Sequence, residues 1–372
     1  MPAYRDHPLW PSQTLSSVAR VVTGKTPVTS NRDLYGGAIP FVTPADLTDA
    51  SVYSTTTHLS EDGADSVARI PAGSVMVSCI GSLGKVGIAE IELCTNQQIN
   101  SLVFDASFVE PRYGFHFCRT LKPKLEAMAP STTIPIVNKS RFSELKIPLP
   151  PLPEQRRIAA ILDKADALRA KRREAIAKLD QLLQSVFLEM FGDPVRNTKA
   201  IPSVPLGGLI QLKTGKLDAN ASSENGAYPF FTCARDPLRI STYSYDCECV
   251  LVAGNGDLNV KQYSGKFDAY QRTYILESLD KQRLTTNYLF HFMDAYLVEL
   301  RKQSIGGIIK YIKKGNITEA TIPLPPLREQ TRFNAICAEL NKQKMRLLAF
   351  SESTDSLFSA LQANAFGTRG TL

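Results

Sequence analysis

The chain has 372 residues, 43 lysines and arginines against 36 acidic residues, and 43% hydrophobic residues. That length fits roughly two or three domains, the apolar share suffices for a buried core, and a surplus of +7 with a pI near 8.9 is compatible with a nucleic-acid partner without requiring one. No run approaches the roughly eighteen uninterrupted apolar residues of a membrane span, no signal-peptide pattern follows Met1, and seven cysteines, an odd number, fit reduced thiols in a cytoplasmic protein better than a disulfide framework.

Residues 1–146 read as a first domain of short apolar runs, such as Ile39-Pro-Phe-Val-Thr43 and Gly73-Ser-Val-Met-Val-Ser78, separated by Gly, Asn, Asp and Pro turns. Such runs are β-strands. Gly81-Ser-Leu-Gly-Lys-Val-Gly87 fails the spacing of a phosphate loop; it is either a hairpin turn or a turn whose amides and Lys85 meet a phosphate.

Residues 147–192 form a Pro-rich joint and a helix. The prolines at 148, 150, 151 and 153 hold the chain extended, with Pro153 tolerated in a first helical turn and Glu154 favoured there by the helix dipole. From about Glu154 to Met190, steps of three and four give Ile158, Ile161, Ala165, Leu168, Arg172, Ala175, Leu179, Leu182, Val186 and Glu189, a largely apolar seam with charges of both signs outside it. That is the pattern of a coiled-coil helix on the order of 55 Å long.

Residues 193–321 read as a second domain of strands and turns. Its close pair Cys247-Glu-Cys249 lacks zinc-knuckle spacing, and Gly254-Asn-Gly256 is a turn signal. Residues 322–372 repeat joint and helix. The second seam, from about Glu329 to Ala365, runs Phe333, Ile336, Leu340, Gln343, Leu347, Phe350, Thr354, Leu357, Leu361 and Asn364. Each stripe needs a partner. The two helices are expected to pack antiparallel, which sets the domains at opposite ends of a rod; a membrane-surface helix is the alternative.

The repeat is the strongest signal. Ile147-Pro-Leu-Pro-Pro-Leu-Pro-Glu-Gln-Arg-Arg157 returns as Ile322-Pro-Leu-Pro-Pro-Leu-Arg-Glu-Gln-Thr-Arg332, and Phe191-Gly192 as Phe366-Gly367, both at an offset of 175. Val22-Thr-Gly-Lys25 answers Lys213-Thr-Gly-Lys216 at an offset of 191, so the second domain is about sixteen residues shorter. No catalytic constellation appears: His7, His58, His116 and His291 lie at no metal or triad spacing, and no Rossmann fingerprint opens the chain.

The duplicated Pro-Pro-Leu-x-Glu-Gln segment before paired helices resembles the DNA-specificity (S) subunit of Type I restriction–modification systems, over essentially the whole chain. The resemblance implies an α+β fold: two β-rich α/β target-recognition domains, each followed by a long helix, the helices packed as an antiparallel coiled coil. It implies a non-catalytic subunit that reads a bipartite, asymmetric target in double-stranded DNA. Two methyltransferase (M) subunits and the restriction (R) subunits would dock on it. No cofactor belongs to this chain: S-adenosylmethionine would sit in the M subunits, ATP and Mg in the R subunits. An enzyme and a structural adaptor are the other classes.

Lys and Arg suit phosphates and guanine, Asn and Gln suit adenine edges. The candidate DNA contacts in the first domain are Lys25, Thr43, Asp46, Ser82, Lys85, Asn96, Gln97, Gln98, Asn100, Lys139 and Arg141. In the second they are Lys216, Asn255, Asn259, Lys261, Gln262, Lys266, Gln271, Arg272, Lys310, Lys313 and Lys314.

Overall fold

The computed structural model describes residues 10–129 and 134–366, apart from the side chains at 352 and 353; His7 and Gly367 lie outside the described residues. Two compact units emerge, Met1–Lys171 with Phe350–Leu372, and Arg172–Ala349. Each holds one β-rich domain, one half of the first long helix and a part of the second.

In the first unit, the strands Ala19–Thr23, Ile99–Phe104, Val75–Ser78 and Val86–Ala89 lie side by side, all antiparallel. In the second, Ile210–Thr214, Thr273–Ser278, Tyr245–Ala253 and Val260–Ala269 repeat that order and sense. Val75–Ser78 is buried at every position, so its Val-Met-Val run shows no alternation. Beyond this shared frame the sheets differ. The first adds Ala50–Val52, with Tyr35–Val42 in a separate four-stranded sheet; the second continues into Tyr228–Phe231 and Leu238–Ile240.

The repeated joint is more than an extended tether. Lys146–Pro148 pairs with Ser12–Thr14, and Thr321–Pro323 with Ser203–Pro205. Ile147 and Ile322 are fully buried. The proline carbonyls are accepted into each domain: Tyr113 Oη donates to Pro148 O at 2.9 Å and Tyr288 Oη to Pro323 O at 2.6 Å. The glutamine of each motif is buried too. Gln155 Nε2 donates to Phe108 O (2.8 Å) and Pro150 O (2.9 Å), while its Oε1 accepts Glu110 N–H (3.0 Å). Gln330 does the same to Arg283 O, Pro325 O and Thr285 N–H. Buried polar groups need partners, and this side chain supplies three at once.

The long helices run Leu152–Phe191 and Leu327–Phe366. They pack antiparallel within each unit. In the second unit Asp180 meets Lys344 at 2.6 Å, and eleven residues on, Phe191 meets Phe333, eleven residues back. In the first, Arg169 pairs with Asp355, and Ile158 and Leu162 line a groove with Leu361 and Ala365.

The apolar seam differs from the expected one. Ile161, Leu168 and Leu182 are 39%, 49% and 48% exposed, and Phe350 and Leu357 are 65% and 58% exposed. Leu162, Phe187, Cys337 and Phe358 are buried instead. The physical cause is that polar groups hold part of the interface. Arg112 and His116 bond Asp163, Arg119 and Arg169 bond Asp166, and Arg169 also lies over the Phe358 ring at 4.6 Å. Burial alone would raise the Asp163 carboxyl, but the bonds from His116 and Arg112 hold it down at about 2.

His291 occupies the place of His116 in the second unit, at the same offset of 175. It has ring neighbours rather than carboxylates, Phe187 at 5.4 Å and Phe333 at 5.0 Å, and burial lowers its pKa from 6.5 to about 4. A depressed base gives stability that is fully present above 6.5 and is lost as pH falls towards 4, because the unfolded chain takes the proton first. The loss is at most roughly 3 kcal/mol. In melts between pH 7 and 4.5, His291→Phe is expected to flatten the acid loss; an equal slope in both proteins would show that this ring does not titrate there.

Candidate nucleic-acid interface

The two domains build one end of their sheets from the same backbone bonds. Gly24 N–H donates to Ile99 O and Lys25 N–H to Thr95 O; Gly215 N–H donates to Thr273 O and Lys216 N–H to Ala269 O. A Cβ at Gly24 would stand 2.3 Å from Asn96 O, and one at Gly215 2.2 Å from Tyr270 O. Only glycine permits that approach, which explains the shared Thr-Gly-Lys anchors.

The next turns match as well. Cys79 N–H donates to Gln98 O, Val137 N–H to Cys79 O and Gly81 N–H to Pro135 O. Gly254 N–H donates to Arg272 O, Ile312 N–H to Gly254 O and Gly256 N–H to Lys310 O. Three segments distant in sequence are thus fastened together in each domain. In the second they bring together Asn255, Arg272 and Lys310.

The candidate side chains fall into two groups on this frame. Lys25, Ser82, Lys85, Gln97, Lys139, Arg141, Lys216, Gln262, Lys266, Gln271, Arg272, Lys310, Lys313 and Lys314 are exposed, and Asn255 is half-buried. Among the described residues, none of these lysines or arginines is in an ion pair. Some are engaged otherwise: Lys85 Nζ donates to Pro44 O, Arg141 to Met128 O, and Lys266 Nζ lies 4.7 Å from the Tyr243 ring centre. Gln97 accepts from Thr26, Gln262 donates to Asn287, and Gln271 donates to Asp218.

The second group is consumed by the fold. Asn96 is 8% exposed; it bonds both the side chain and the N–H of Gln98, whose own amide reaches Ile80 O. Asn100, 3% exposed, accepts the Thr23 hydroxyl at 2.6 Å. Asn259, 8% exposed, spans Cys233 O and Asp257 O and accepts from Lys261, whose half-burial lowers its pKa. Asp46 closes its own turn by accepting the N–H and hydroxyl of Thr43, both at 2.8 Å. These groups hold turns in shape rather than offering base-edge contacts. An amide-rich stretch such as Asn96–Asn100 looks the same in sequence either way.

Sequence reasoning named Lys310 but passed over the exposed tip of its loop, Gly306-Gly307-Ile308-Ile309, because that stretch carries no charge. The 175-residue offset could have found it, since it sets Ile134 against Ile309. No group of three or more His, Cys, Asp or Glu suited to a metal occurs among the described residues, and no helix there is long and apolar enough to cross a membrane.

Comparison with known proteins agrees with the duplicated architecture. The profile of the family described as Type I restriction modification DNA specificity domain matches residues 9–178 and again 201–347. The specificity subunit of the Escherichia coli Type I restriction enzyme EcoDI is 41% identical over 149 residues, 39% of this chain and 33% of that one. The chain thus spans about a third of that relative. The specificity subunit of the Methanocaldococcus jannaschii Type I restriction enzyme MjaIX is 23% identical over 411 residues, 95% of this chain and 92% of that one. The solved structure of a Type I restriction–modification S subunit from M. genitalium shares the fold, with a TM-score of 0.64 at 16% identity over 99% of both chains.

Proposed function

Because the chain belongs to the family of Type I restriction modification DNA specificity domains and carries two of them, we propose that it reads a split, asymmetric target in double-stranded DNA, one half-site per domain. The boundaries are those given above, with 1–146 and 193–321 as the two readers. The observation that carries this is the identical hydrogen-bonded frame at one end of both sheets, dressed with different side chains. Lys25 and Lys216 sit on matched turns, where a sequence-independent phosphate contact belongs. Positions that diverge, such as exposed Arg272 against the inward-bonded Gln98, are where different bases would be read.

The subunit is non-catalytic in this reading, with chemistry supplied by methyltransferase subunits that bring S-adenosylmethionine and restriction subunits that bring ATP and Mg. Apolar side chains left outside the helix seams, among them Leu168, Leu182, Met345 and Leu357, support docking of those partners, since exposed apolar surface marks interaction sites.

Salt dependence tests the DNA contact without knowledge of the target. On random-sequence duplex, bound by the chain together with its methyltransferase subunit, Lys313→Ala with Lys314→Ala is expected to reduce the slope of log affinity against log salt by about one to two. An unchanged slope removes this pair from the phosphate contacts. A complex that assembles but binds no duplex at any salt favours the adaptor.

A further inference from the structure

At the tip of the second domain's loop, two isoleucines stand in water. Ile308 is fully exposed, and Ile309 is 64% exposed. The loop that carries them is built, not loose. Ile305 and Tyr311 exchange two backbone hydrogen bonds at 3.0 and 2.8 Å, Gly256 N–H holds Lys310 O at 2.9 Å, and Ile312 N–H holds Gly254 O at 2.9 Å. Lys310, Lys313 and Lys314 around it are exposed and in no ion pair among the described residues. In the first domain Ile134, one offset of 175 from Ile309, is 56% exposed beside the Gly81-to-Pro135 bond. The second of the two isoleucines is thus shared by both domains, while Thr133 stands at the position of the first.

We propose that Ile308 and Ile309 form a wedge that enters the minor groove and opens a base-pair step, bending the duplex read by the second domain. The inference rests on the DNA-reading function proposed above. The charge pattern selects the occupant. An apolar tip followed within five residues by three exposed lysines, none in an ion pair among the described residues, fits a surface that is anionic at its rim and apolar inside, which is a stacked base step between two phosphate backbones. An apolar patch on a partner protein would leave those lysines unanswered.

The test uses the full chain with its methyltransferase subunit and end-labelled duplexes carrying the sequence that this complex methylates. Energy transfer between the ends reports the bend. Ile308→Ser with Ile309→Ser is expected to abolish the bend and weaken binding about tenfold or more, with the salt slope unchanged because phosphate contacts remain. Ile308→Leu with Ile309→Leu should keep the bend, which separates a wedge from a merely misfolded loop. A serine variant that bends and binds as the parent does overturns the wedge. So does one that fails to hold the methyltransferase subunit, which would assign the tip to a protein contact. Failure of the parent complex to bind any duplex would instead overturn the DNA-reading function beneath it.

Discussion

Gln155→Ala is expected to destabilise the first unit by about 3–5 kcal/mol, although it removes no charge and little apolar surface. The substitution strands three backbone groups, Pro150 O in a buried bond and Glu110 N–H and Phe108 O in part-buried ones. Each loses its only named side-chain partner at a site where Gln155 is 1% exposed. An unsatisfied buried group costs about 1–3 kcal/mol; Phe108 and Pro150 line an open groove beside Gln155, where water takes up part of that cost. Gln330→Ala should act alike on the second unit, where Thr285 N–H, Arg283 O and Pro325 O are left. Gln184, exposed on the same helix as Gln155, serves as the control, with an expected change within about 0.5 kcal/mol. Urea unfolding of the three variants decides the matter. If Gln155→Ala and Gln184→Ala cost the same, the repeated glutamine is not what fastens joint to domain.

Phe191→Ala carries the second large effect, in a domain that the residue precedes. Phe191 is 2% exposed and lies 4.9 Å from the Tyr288 ring and 5.6 Å from that of Phe333. Its truncation should cost the second unit about 3–5 kcal/mol. Phe366, at the end of the other helix, lies 5.1 Å from Tyr113 and 5.9 Å from Phe117; its loss should weaken the first unit. Each helix therefore ends inside the domain that the other helix follows. Hydrogen exchange reads this locally. In Phe191→Ala the helix Thr286–Gln303 should lose protection while Pro111–Cys118 keeps it, and Phe366→Ala should reverse the pattern. Uniform loss in both variants would contradict this division.

Much of this was legible in the sequence because a repeat compares the chain with itself. The helix bounds expected at about Glu154–Met190 fall within two residues of Leu152–Phe191, since prolines and a Phe-Gly stop mark both ends. The seam was less legible. Counting apolar residues in threes and fours assumes an apolar interface, whereas Asp163, Asp166, Arg169 and Lys344 hold part of it. Charged residues on a helix read as solvent-facing when their partners, Arg112 and His116, lie some fifty residues away.

Residue type alone did not tell which candidates are accessible. Asn100 and Gln97 look equivalent in sequence; one spends its amide on Thr23 while the other stands at the surface. The isoleucine tip before Lys310 escaped notice for the opposite reason. Isoleucine is normally buried, and only the structure shows that Ile308 and Ile309 are not.

The central claim is that the two domains read two different half-sites. Co-expression of the chain with its methyltransferase subunit, followed by genome-wide mapping of methylated adenines by single-molecule sequencing, tests it most directly. One split, asymmetric motif with a constant gap is the predicted result. A continuous motif, or none despite an active methyltransferase subunit, would contradict it.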